Sequence, residues 1–148
     1  ICDGDYDLSH RIHEKISVLR VLEKTAHRGV FTADEIARLC SDKKSTKIVR
    51  VKILADKIES LDEEISQTGL IHPELKPVTD MFNKRKENFQ GNDPVQLANE
   101  TRKCYQGLLK DGEGVRKRLT LVLEILISMN NNSCQAAVSS FNVEVPGK

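Results

Sequence analysis

Apolar residues recur three or four positions apart along almost the whole chain, a spacing that helices bury on one face and strands cannot. Leu8, Ile12, Ile16, Leu19, Leu22 and Ala26 share such a face. Ser9 is a suitable N-cap and Gly29 a suitable stop, which predicts a first helix between them. Thr32-Ala33-Asp34-Glu35 has the capping-box pattern and predicts a short second helix through Ile36, Leu39 and Cys40. A third, capped by Ser45 or Thr46, carries Val51, Leu54, Ile58, Leu61 and Ile65 and ends at Gly69.

Pro73 suits the first turn of a fourth helix, where its missing N–H is not needed; Leu75, Val78, Phe82 and Phe89 mark the buried side. Gly91-Asn92-Asp93-Pro94 is a turn into a fifth helix carrying Leu97, Thr101, Cys104, Tyr105 and Leu108. Asp111-Gly112-Glu113-Gly114 reads as another break, before a sixth helix from Val115 to Asn130. Between Leu119 and Met129 that helix is apolar on nearly every face, which places it at the centre of the molecule. A further turn or two is expected between Cys134 and Ser140, then an extended tail over 141–148, where Phe141, Val143 and Val145 alternate.

The expected fold is all-α: residues 1–148 form one bundle of five to six helices around a central apolar C-terminal helix, with short links that make successive helices antiparallel. A chain of 148 residues has the size of one domain. Aromatics make up only 4% and Trp is absent, so the core is built from Leu, Ile and Val. With 23 basic and 22 acidic side chains the net charge is +1, without the basic excess of a nucleic-acid binder. Leu119–Met129, the longest apolar run, is too short to cross a bilayer.

Four cysteines, Cys2, Cys40, Cys104 and Cys134, are too widely spaced for a zinc site. Ile1 stands where Met would begin a chain, and Asn99-Glu100-Thr101 and Asn131-Asn132-Ser133 match the glycosylation acceptor pattern at Asn99 and Asn131. Together these predict a secreted, extracellular protein with its signal peptide removed and its cysteines paired. Of the three pairings, Cys2 with Cys134 and Cys40 with Cys104 is preferred on placement; the alternative compartment is a cytosol with four free thiols.

Motifs that carry chemistry are sparse. Asp3-Gly4-Asp5-Tyr6-Asp7 with Glu14 begins like a calcium loop, but Leu8 stands where the sharp-turn glycine belongs. His10 and His13 lie on neighbouring turns without evident further ligands, so surface histidines are expected, not a metal site. No Gly-rich phosphate loop, nucleophile elbow or HExxH pattern occurs. No enzyme activity and no cofactor are expected.

Charge placement is more informative. The third helix starts with Lys43, Lys44, Lys47, Arg50 and Lys52 and ends with Glu59, Asp62, Glu63 and Glu64, the reverse of what a helix dipole favours. The sixth starts with Arg116, Lys117 and Arg118. Either these cations form a patch for an acidic protein or glycosaminoglycan-like surface, or antiparallel neighbours compensate them, which is the more ordinary case. The expected function is a secreted, monomeric, non-enzymatic effector that binds and modulates another extracellular protein, of immune or defence type. The alternative is a carrier of a fatty acid or sterol within the bundle.

Overall fold

The computed structural model describes residues 2–42, 48–89 and 91–138, with side chains for 7–42, 48–89 and 91–129. Its elements are α1 (Cys2–Ser41), α2 (Ile48–Ile71), a 3-10 turn (Pro73–Leu75), α3 (Lys76–Glu87) and α4 (Pro94–Val138). There is no strand among the described residues. The all-α expectation holds, with four α-helices where five to six were predicted.

The difference comes from two breaks that do not occur. Gly29 was expected to end a helix and Thr32 to cap the next, yet α1 runs through both. Its buried positions Ala26, Gly29, Ala33 and Ala37 stay in helical phase across the junction, so one unbroken helix buries them all. Gly29 is there for close approach: a Cβ on it would fall within the ring of Tyr105. Likewise Leu108, Gly112, Val115, Leu119 and Leu123 keep phase, and α4 passes through Gly112 and Gly114 without a break. A glycine costs about 1 kcal/mol in a helix interior, which burial of a continuous face exceeds. Pro73 opens the 3-10 turn and Pro94 opens α4 as expected, but three other expected ends lie inside helices: Ser9 in α1, Gly69 in α2 and Asn130 in α4.

α1 and α4 form a long antiparallel pair. Arg116 reaches Glu23 with two hydrogen bonds of 2.7 and 3.3 Å, and Arg102 lies 3.7 Å from Asp34. α2 and α3 pack over only one half of this pair. The main core lies there, around Leu19, Leu22, Leu61, Ile65, Phe82 and Tyr105. Phe82 and Tyr105 meet with centroids 5.0 Å apart and rings tilted by 55°, a favourable aromatic arrangement. In the other half α1 and α4 continue as a two-helix arm, held by a small cluster of Ile12, Ile16 and Leu123 backed by Leu119 and Leu126.

The expected central helix is therefore not central. Beyond Leu119, which still borders Leu75 at the edge of the main core, the Leu119–Met129 segment lies in the arm beside α1, and Leu121, Val122, Ile125, Ile127 and Met129 are exposed. The preferred Cys40–Cys104 disulfide is also absent: both thiols are free. The helix register explains this. The Glu23–Arg116 and Asp34–Arg102 pairs put Cys40 level with roughly residue 96 of α4, about 12 Å along the axis from Cys104. A disulfide needs Cα atoms about 4.4–6.8 Å apart. The side chains of Cys2 and Cys134, and the whole tail 141–148, lie outside the described residues.

Candidate functional site on the uncovered face of α4

One face of α4 can be followed along its length. Gly107, Asp111, Gly114 and Arg118 recur at helical spacing; α3 packs over Gly107 and Asp111, while Gly114 and Arg118 are exposed at the rim of an open cleft. Arg85 of α3 bonds to Asp111 at 2.8 Å, and its guanidinium occupies the space that a Cβ at Gly107 would need. Pro77, in the first turn of α3, borders the same cleft as Gly114 and Arg118. There the cover ends. The face runs on as Leu121, Val122, Ile125 and Met129, exposed by 57, 42, 51 and 57% respectively. Leu119, Leu123 and Leu126 point instead to α1. The arm thus offers a four-residue apolar stripe that nothing described in the chain packs against. Covering these half-exposed side chains would be worth roughly 3–6 kcal/mol.

A second cluster has the residue types of an active site but a structural geometry. Asp62 of α2 accepts hydrogen bonds from Lys86 of α3 and from the hydroxyl of Tyr105 of α4, so one carboxylate ties three helices together. Lys86 also lies 5.8 Å from the centre of the Phe82 ring. Burial lowers the pKa of Lys86, with the charges of Cys104 and Glu59 acting against it. Burial raises the pKa of the neighbouring Cys104 thiol, with Lys86 acting against it. A nucleophilic cysteine needs the opposite shift.

The described cations of the expected basic patch fall into two groups, one at the start of α2 and one in α4. Lys43, Lys44 and Lys47 lie outside the described residues. Arg50 pairs with Glu35 at 3.1 Å, Arg116 with Glu23, and Lys117 with Glu113 at 2.8 Å; Lys52 and Arg118 are exposed. Glu35 and Glu23 stand twelve residues apart on α1, so the two groups of cations are separated by about 18 Å. Because α4 begins at Pro94, Arg116, Lys117 and Arg118 are mid-helix and oppose no dipole.

The remaining candidates are dispersed. Positions 3–7 belong to α1 and not to a loop, which removes the turn a calcium loop requires. His10 and His13 are exposed, and no group of three metal-ligating side chains gathers among the described residues. Asn99 is half-buried within α4, and the side chain of Asn131 is not described. No described helix is long and apolar enough to cross a membrane.

Two features escaped the sequence reading. The stripe reads as core in the sequence, because a segment apolar on nearly every face looks the same whether or not other helices surround it. The Asp62–Lys86–Tyr105 cluster left no signal, because its members lie on three helices with no common spacing. No protein-family model matches this chain, and no curated protein or solved structure shows significant similarity to it.

Proposed function

We propose that this chain is a non-enzymatic extracellular effector that binds and modulates another protein, of immune or defence type, through the uncovered face of α4. One observation carries the docking reading: the face of α4 that α3 packs over at Gly107 and Asp111 continues as Leu121, Val122, Ile125 and Met129 with no cover among the described residues. An amphipathic helix of a partner laid along this stripe would repeat what α3 does further along the same face, anchored by side chains three and four residues apart. Exposed apolar patches of this kind mark interaction sites more often than chance. The extracellular compartment rests on the cysteine count and the acceptor patterns alone.

The test compares the chain with its Leu121→Ser/Ile125→Ser variant. Cross-linking to extracellular proteins identifies the partner, and titration of that purified partner measures the effect. At least a tenfold loss of affinity in the variant is expected. A partner bound equally well by both would remove the stripe as the docking face.

A further inference from the structure

Where the first turn of α3 meets α4, Pro77, Val78 and Met81 face Val115 across an open cleft of about 380 Å³. That volume lies within the ~300–1,000 Å³ range of small-molecule sites. Its charge distinguishes it from an ordinary surface dent. Arg85, Lys110 and Arg118 also line it, and Asp111 is the single carboxylate among its lining residues. Asp111 is engaged by Arg85, whose other terminal nitrogen, Nη1, is buried without an acceptor. Lys110 and Arg118 form no ion pair among the described residues. Three cations thus stand around an apolar floor with one carboxylate between them.

We propose that this cleft binds an amphipathic anion, with a carboxylate or sulfate head drawn by the charges of Lys110 and Arg118, which stand about two turns apart on α4, and a hydrocarbon chain lying over Val78, Met81 and Val115. A neutral hydrocarbon would leave two cations facing an apolar ligand without a counter-charge. A small hydrophilic anion would leave the apolar floor in water. Only a ligand with both parts satisfies the cleft. The site is a surface cleft and not the bundle interior, and it stands whether or not the stripe docks a protein. The same chemistry is available from a free single-chain amphiphile or from an anionic lipid in a membrane; the cleft, closed on one side by α3 and on the other by α4, favours the free molecule.

Calorimetric titration with decanoate below its micellar concentration tests this. Saturable binding of one decanoate per chain is expected, with decanol and acetate at least tenfold weaker. Lys110 and Arg118 are exposed, so a Lys110→Glu/Arg118→Glu variant keeps its helical circular dichroism and melting temperature while losing decanoate binding at least tenfold. Equal affinity for decanol, unchanged binding by the variant, or no binding up to the solubility of decanoate would overturn the proposal. Binding to phosphatidylglycerol vesicles without binding of free decanoate would overturn it in favour of a membrane surface.

Discussion

Tyr105 lays its ring across Gly29, and no side chain larger than hydrogen fits between them. Gly29→Ala should therefore destabilise the fold by about 1–3 kcal/mol through overpacking, despite the better helix propensity of Ala. Gly114 in α4 is the control, because a Cβ there meets nothing within 4 Å. Gly114→Ala should stabilise by up to about 1 kcal/mol. Urea denaturation of both variants checks this, and equal effects would mean that the helices do not approach as described.

Asp62 is expected to be the costliest polar residue to lose. Its removal leaves Lys86 without its carboxylate acceptor and the Tyr105 hydroxyl with only the carbonyl of Ile58, at 3.4 Å. Asp62→Ala should cost about 2–3 kcal/mol, as for a hydrogen bond to a charged group in a partly buried setting. Asp56→Ala, on an exposed position of the same helix, should stay within about 0.5 kcal/mol of the parent.

Burial, and next the charge of Cys104, push the Tyr105 hydroxyl well above the ordinary tyrosine value of 10.0. Below that value the phenol is protonated in both the folded and the unfolded chain, and its contribution is fully present. As pH rises further the unfolded chain ionises first, so stability falls until the folded phenol also titrates. The parent should lose stability faster than Tyr105→Phe between about pH 10 and 12, by at most ~1.4 kcal/mol per pH unit. Equal slopes in denaturation at stepped pH would contradict the burial of the hydroxyl.

The stripe should be dispensable for folding. Leu121→Ser and Ile125→Ser replace half-exposed side chains and should each change stability by no more than about 0.5 kcal/mol, measured by thermal melting. Leu123→Ser, two residues away but facing α1, should cost about 2–3 kcal/mol by removing a buried apolar side chain and leaving a hydroxyl in its place. A large effect at Ile125 would show that another part of the chain already covers the stripe.

Cys40 and Cys104 are free, so unfolding without reductant in the presence of iodoacetamide should attach at least two alkyl groups. Under native conditions Cys40, partly exposed, should react well before the buried Cys104, whose thiol burial holds above its usual value. Two labels at Cys40 and Cys104 alone would support the proposed oxidising compartment, with Cys2 bridged to Cys134. Four labels would argue against it.

Spacing along the chain by itself determined that the protein is helical, which residues face inward over most of α1, α2 and α3, and where Pro73 and Pro94 start new elements. These follow from local geometry: the apolar period matches the helical turn, and proline restricts only its own neighbourhood. Only the tertiary structure decided that Gly29 and Gly112 lie inside continuous helices. A glycine that stops a helix and one that admits a neighbouring ring look alike in sequence, and the difference here is the approach of α4 to α1. The tertiary structure likewise decided the fate of Leu119–Met129. Its composition says that the segment can be buried from all sides, but burial depends on how many helices surround it. Because α2 and α3 cover one half of the α1–α4 pair, the other half keeps its apolar stripe in water.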